Sequence, residues 1–270
     1  MMKIIQNIEV SVVVTTYNRK LLLQETIRSI LNQTYQNFEL IVVDNYSDYD
    51  FLSFIESFQS NKIRAFQNHN FGKIATNRNF GISKAEGNYL AFCDDDDIWL
   101  PDKLEKQVDY IKSNDVDILS TALIYFGERL GKEEYRYFKY RYSLEPFLFN
   151  YLTPSSVLVK RTSDVFFDED DINCSEDWAL FLKLLILGYK LYQMPEGLVK
   201  YRMNATNMTV LSSTMPQDRA VKLLKKLRRS YPDKFNITKF VLSISYHKIV
   251  KYVYLTGLIN IIHIVKKSRI

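Results

Sequence analysis

Residues 72–101, GKIATNRNFGISKAEGNYLAFCDDDDIWLP, decide the architecture. The first half holds helical spacing from about Ile74 to Ala85 and closes at Gly87, and Asn88 to Cys93 then form a short apolar run. A helix ended by glycine and followed at once by such a run reads as helix, tight turn and buried strand. Directly after that strand stand four consecutive carboxylates, Asp94 to Asp97. Ile98-Trp99-Leu100-Pro101 follows, with Pro101 suited to the first turn of another helix.

The same unit recurs toward the N-terminus. Residues 9–14 (EVSVVV) are a β-branched run, TTYNRK is a polar loop, and Leu23, Ile27, Ile30 and Leu31 fall at helical spacing with Asn18 as N-cap. Phe38 to Val43 is a second strand ending in Asp44-Asn45, residues 51–58 form a short helix, and Lys62 to Phe66 a third strand. Strands alternating with helices predict a mostly parallel sheet with right-handed crossovers. Ligands of such sheets bind outside the C-terminal strand ends. That rule gathers Thr15 to Asn18, Asp44-Asn45 and Asp94 to Asp97 onto one rim.

Beyond residue 116 the alternation stops. DILSTALIYF, YRYFKYRY and SSVLVK read as mixed or antiparallel sheet, Ser175 opens an apolar helix (EDWALFLKLLIL) ending near Gly188, and strands are expected at Tyr189–Gln193 and Leu198–Tyr201. From about residue 216 the chain reads as helices, with Val221, Leu224 and Leu227 as one apolar stripe. The expectation is an α/β domain with a mixed central sheet over residues 1–210 and a basic helical extension over 211–270.

Bulk properties narrow the classes. The 270 residues are 47% apolar with 8 Gly and 6 Pro, which is globular rather than disordered chemistry. Cys93 and Cys174 match neither a metal pair nor a disulfide framework and read as buried thiols in a reducing compartment. The N-terminal MMKIIQNIEVSVVV lacks the apolar h-region of a signal peptide. Net charge is +5, yet from Asp218 onward thirteen Lys and Arg face only Asp218 and Asp233, so the tail carries +11 and the remainder −6. No nucleic-acid-binding motif accompanies that charge, so a membrane surface or an acidic partner is the expected target of the tail.

Four adjacent carboxylates repel one another: two like charges about 5 Å apart at an effective dielectric of about 20 cost roughly 3 kcal/mol. A bound cation removes that cost, and oxygen ligands of this kind favour magnesium or manganese. The alternative is a solvated acidic turn stabilised by the helix dipole.

On these residues the sequence resembles the family-2 glycosyltransferases, inverting enzymes of GT-A fold. The resemblance spans residues 8 to about 205 through SVVVTTYNR, FELIVVDNYSD, NHNFGKIATNRNFGISKAEGNYLAFCDDDDIWLPDKLEKQ, TPSSVLVKR and SEDWALFLKLL. It implies a Rossmann-like nucleotide-binding half in which Thr15 and Tyr17 line the base pocket and Asp44 hydrogen-bonds the base. Arg78 resembles a diphosphate-facing arginine, Asp94 a ribose-contacting carboxylate and Asp96 the metal ligand, with Asp95 between them. Asp177 of the Glu176-Asp177 pair resembles the catalytic base. Read without the resemblance, Ser175 followed by two acids is also an ordinary capped helix start. Many members carry a His soon after the Tyr201-Arg202 dipeptide; here Met203-Asn204 stand there, so water or donor oxygens are expected to complete the metal shell. His69, His247 and His263 have no ligand spacing and read as structural.

The resemblance therefore implies a manganese- or magnesium-dependent transfer from a nucleoside-diphosphate sugar, UDP being the commonest carrier, to a hydroxyl of a glycan or lipid-linked glycan. The expected setting is the cytoplasm, with the tail on the inner face of the cell membrane or in a lid or homodimer contact. Val253 to Val265 is too short an apolar stretch to span a bilayer. A rival from another class is a non-catalytic donor-binding or scaffolding subunit of a glycan-assembly complex. A nucleotidyltransferase would need a glycine-rich loop after the first strand, and TTYNRK has no Gly.

Overall fold

The computed structural model describes residues 8–255 apart from 129, 131, 171–174 and 204–215. Its sheet runs in the order β3-β2-β1-β4-β8-β6-β9-β5, with β7 added to β6. The strands are β1 (Val10–Thr16), β2 (Phe38–Asp44), β3 (Ile63–Gln67), β4 (Tyr89–Asp94), β5 (Ile98–Trp99), β6 (Ile118–Phe126), β7 (Glu134–Arg136), β8 (Leu158–Lys160) and β9 (Leu191–Arg202). The helices are α1 (Lys20–Leu31), α2 (Phe51–Glu56), α3 (Ile74–Lys84), α4 (Lys103–Ser113), α5 (Glu176–Ile186), α6 (Pro216–Ser230) and α7 (Ile237–Leu255).

The first four strands in the order are parallel, as the alternation predicts, and β4-β8 and β8-β6 are antiparallel. Alternate side chains of β1 feed opposite cores. Val10, Val12 and Val14 belong to the core shared with α1 and α4, whereas Val13 belongs to the one shared with Ala75 of α3 and with Leu180 and Phe181 of α5. This period-two division follows from the pleat. At Gly81 a Cβ would lie 2.4 Å from a methyl of Val13, so glycine lets α3 sit close against β1.

Four local expectations are corrected. Asn18 does not cap α1; it adopts φ 52°, its Oδ1 accepts the Asp48 N–H, and Arg19 takes the cap position. Pro101 precedes α4, which starts at Lys103, because Ile98-Trp99 are drawn out to pair with β9. The two strands expected between Tyr189 and Tyr201 are one, β9, with a register shift against Thr121-Ala122-Leu123 that absorbs Pro195 and Gly197. In α6 the buried stripe is Ala220, Leu223, Leu224 and Leu227, with Val221 half-buried.

That stripe packs on α5 through Trp178, Ala179 and Leu182, and Phe235 closes the cluster against Phe147. Lys251 of α7 pairs with both carboxylate oxygens of Asp218 at 2.7 Å, which joins the two ends of the α6–α7 hairpin. The helical extension thus braces the helix that carries Glu176 and Asp177. Cys93 is buried and burial raises its thiol well above the ordinary range; Cys174, His263 and Asn204 lie outside the described residues.

Candidate active site

Register fixes the rim. Thr15 pairs with Val43 on one side and Asp94 on the other, and Thr16 pairs with Asp44. Outside these strand ends lies a cavity of about 570 Å³, walled by the Thr15–Tyr17 loop, Asn45, Arg78, Asp94 to Asp96 and, from α5, Glu176 and Asp177. Residues from distant parts of the chain converge there because parallel strands all end on the same side.

The acidic run divides in two. Asp94 to Asp96 line the cavity, whereas Asp97 is fully buried and its Oδ1 accepts the Arg202 N–H at 3.0 Å. Asp95 accepts from the Thr16 hydroxyl (2.8 Å) and from Arg19 Nη1 (3.0 Å); the same Arg19 nitrogen reaches Asp96 at 3.2 Å. Burial raises the Asp95 carboxyl, with Arg19 and Thr16 pulling it back. Burial together with Asp94 and Asp95 pushes Asp96 up to about 6. Burial and the neighbouring carboxylates lift Asp97 well above the usual range.

Arg78 is buried rather than solvated. Its Nη2 donates to Asp94 and its Nη1 to Glu176, both at 2.8 Å, and the guanidinium lies 5.2 Å from the Phe167 ring centre. Burial alone would lower this group, yet Asp94 and Glu176 raise it above its ordinary value. Arg78 therefore ties the acidic strand end to the start of α5, a link that its helical position alone did not reveal.

Asp177 faces the cavity from the first turn of α5 and accepts from Asn150 Nδ2 at 3.3 Å and from the Trp178 N–H at 2.6 Å. Burial, then Glu176, push its carboxyl up to about 7 against the pull of Arg78. A carboxylate of that kind can accept a proton near neutral pH.

Of the expected base-pocket residues, Thr15 and the half-exposed Tyr17 line the cavity. Asp44 does not. It is fully buried, accepting from the Ser47 N–H (2.9 Å), the Ser47 hydroxyl and Gln67 Nε2 (3.1 Å), and Asn45 holds the lining position beside it. Asn45 lines the cavity as the strand-end rule expected, and Arg19, Glu176 and Tyr201 also line it, though sequence reading assigned them no role. His69 stacks on Tyr46 at 3.9 Å, and His247 is buried with its Nε2 3.1 Å from the Phe147 carbonyl.

The sequence model described as glycosyl transferase family 2 matches residues 11–172, which contain β1 from its second residue, β2 to β4 and Asp94 to Asp97. The chain belongs to this glycosyltransferase family. An uncharacterized glycosyltransferase of Methanocaldococcus jannaschii is 33% identical over 205 residues, covering 72% of this chain and 70% of that one. Among solved structures, S. aureus TarS (residues 1–349) in complex with UDP-GlcNAc superposes with a TM-score of 0.68 at 18% identity, covering 87% of this chain and 70% of that one. The mannosyltransferase PcManGT of Pyrobaculum calidifontis, in complex with GDP-Man and Mn2+, gives 0.61 at 17% identity, covering 96% and 79%. The fold of this family-2 glycosyltransferase is thus the GT-A fold that the resemblance implied.

The rim also fits a divalent cation. Its donor set is all carboxylate oxygen, the choice of Mg2+ and Mn2+. The Arg19 guanidinium already stands in for a cation on Asp95 and Asp96. Among the described residues no group of three or more His, Cys, Asp or Glu is placed to hold a metal ion by itself. Such ions are commonly held by one or two carboxylates, with water and substrate phosphates filling the remaining positions.

Proposed function

We propose that this glycosyltransferase performs single-displacement, inverting transfer from a nucleoside-diphosphate sugar, with UDP as carrier, to a hydroxyl of a glycan or lipid-linked glycan. The observation that carries the reading is the division of one cavity between an acidic, arginine-compensated rim and a separate carboxyl held near 7. The nucleotide-sugar complexes of TarS and PcManGT support the donor class.

In this reading Thr15 and Tyr17 flank the base, Asp94 and Asp95 organise the ribose side, and Asp96 holds Mn2+ or Mg2+. The cation, when bound, neutralises charge developing on the departing diphosphate. Asp44 has about four acceptor positions. Ser47 and Gln67 fill three of them, so a contact to the base uses the fourth once the Tyr46–Ser47 loop shifts. Arg78 acts by holding Asp94 and Glu176 in place, which restrains the wall that carries Asp177.

Asp177 accepts the proton of the acceptor hydroxyl as that oxygen bonds to the anomeric carbon. The bond from that carbon to the diphosphate oxygen breaks, and its electron pair leaves with the nucleoside diphosphate. Because attack and departure occur on opposite faces, configuration inverts. Incubation with UDP-sugars, Mn2+ and glycan acceptors tests this: release of UDP coupled to an inverted linkage supports it. Donor binding without transfer or donor hydrolysis on any of them would favour the non-catalytic subunit instead.

We further propose that the α6–α7 hairpin rests on an anionic bilayer surface. Ile237, Val241, Leu242, Ile249 and Tyr252 of α7 are each more than half exposed and share an arc of about 140°. The opposite face of that helix buries Ser243 and His247. Lys222, Lys225 and Arg229 are exposed on one face of α6. The +11 tail is attracted to anionic lipid and repelled by a second copy of itself. No described helix is long and apolar enough to cross a membrane, so the contact is interfacial. Flotation with phosphatidylglycerol vesicles at low salt should carry the protein upward, and Ile249→Asp should weaken this. Equal recovery with neutral vesicles, or none with either, would contradict it.

A further inference from the structure

We infer that Arg19 is a resident counter-cation of the acidic rim, which yields Asp96 to the divalent ion and turns to the donor diphosphate when both arrive. The inference rests on the donor-binding reading above and adds a switching contact to it.

The geometry carries it. Arg19 sits at the N-cap of α1, immediately after the polar loop that follows β1, and lines the cavity. A single nitrogen, Nη1, serves both Asp95 Oδ1 and Asp96 Oδ2. One proton donor bridging two carboxylates occupies the ground that a divalent ion would take. Arg202 meets the run through the Asp96 carbonyl and Asp97, and the remaining cation, Arg78, is not equivalent to Arg19 either. Arg78 is buried and grips two carboxylates with two different nitrogens, whereas the Arg19 side chain keeps 31% of its exposure.

The two carboxylates under Arg19 also differ. Asp95 keeps a second donor, the Thr16 hydroxyl, and stays anchored if Arg19 departs. Asp96 Oδ2 meets Arg19 Nη1 at the longer of the two distances. Asp96 is thus the carboxylate released first. A planar guanidinium freed within the cavity presents a fork that matches phosphate oxygens. The same side chain then competes with the metal when no nucleotide is bound and cooperates with it once a diphosphate is present.

This predicts effects of opposite sign. Mn2+ binding without nucleotide, read by electron paramagnetic resonance of free Mn2+, should tighten at least about fivefold in Arg19→Gln, because a positive neighbour of the ion is removed. UDP binding in the presence of Mn2+, read by calorimetry, should weaken about tenfold in the same variant. Arg19→Lys keeps the charge and loses the fork, so it should hold Mn2+ affinity near wild type and recover part of the UDP affinity.

A residue that merely supports the loop would weaken both ligands together, and that result would overturn the inference. So would two unchanged constants. If Arg19→Gln does not fold, Arg19→Lys decides: UDP affinity equal to wild type contradicts the inference, and a selective loss of UDP affinity upholds it. Wild-type protein that bound neither Mn2+ nor UDP would defeat the donor-binding reading and this inference together. Wild type binding both, with indifferent Arg19 variants, would defeat this inference alone.

Discussion

The acidic rim and the α5 wall of the cavity carry the same functional group in different surroundings. Asp95 and Asp96 share a guanidinium at 3.0 and 3.2 Å, whereas Asp177 has an amide at 3.3 Å and a like charge next to it in sequence. At the rim Arg19 pulls both carboxyls back against burial, whereas at Asp177 burial and Glu176 outweigh the pull of Arg78 and leave a carboxyl that exchanges a proton near 7. The difference teaches that position in the fold, rather than residue type, sets the role: a strand end under an arginine on one side, a helix start under burial on the other.

The comparison breaks most sharply at Asp177. Asp177→Asn keeps the shape and removes the proton acceptor, so the turnover number should fall about 10²- to 10⁴-fold. UDP affinity in the presence of Mn2+ should stay close to wild type, and turnover retained within a few fold would remove Asp177 from the mechanism.

Arg78 joins the two regions, and Arg78→Met should damage both. Deleting one member of a buried ion pair costs about 3–5 kcal/mol. Here two carboxylates, on Asp94 and Glu176, lose their partner. Denaturant unfolding measures the loss, and a change of under about 1 kcal/mol would show that the link is dispensable.

The wall depends on its brace. Leu224 is fully buried between α6 and α5, so Leu224→Ala should cost about 2–5 kcal/mol. If the hairpin holds α5 in place, turnover should fall more than UDP affinity does.

The smallest effect is in pH. Asp177 in the folded chain titrates near 7, above its ordinary value of 3.8. The folded state therefore binds more protons than the unfolded one between those values. The stabilisation is fully present below the unfolded value and is lost as pH rises through about 7. Ligand-free wild type should lose melting temperature from pH 5 to 8 relative to Asp177→Asn, which carries no titrating group there. Turnover runs the other way, rising with pH up to about 7 as the base form appears.

Much of this arrangement was legible in the sequence because it follows from local pattern. The β-branched runs and the helix ended near Gly87 gave the parallel half, and the strand-end rule brought Thr15, Tyr17 and Asp94 to Asp96 to one cavity. Partners were not legible, since they depend on side-chain directions across long sequence separations. Arg78 meets Glu176 ninety-eight positions away, and Arg19 meets Asp95 seventy-six away. Asp44 lies on the predicted rim yet turns into its own loop, where Ser47, three residues on, offers two donors. The register shift that makes β9 continuous was hidden for a related reason: Pro195 breaks a periodic pattern but not a bulged strand.

The most direct test is a crystal of the protein with Mn2+ and UDP, measured for anomalous scattering from manganese. The account predicts one ion at about 2.1 Å from an Asp96 oxygen and touching the diphosphate, with the Asp177 carboxyl unligated across the cavity. An ion bound instead to Asp177 or Glu176, or a nucleotide seated away from the Thr15–Tyr17 loop, would contradict it.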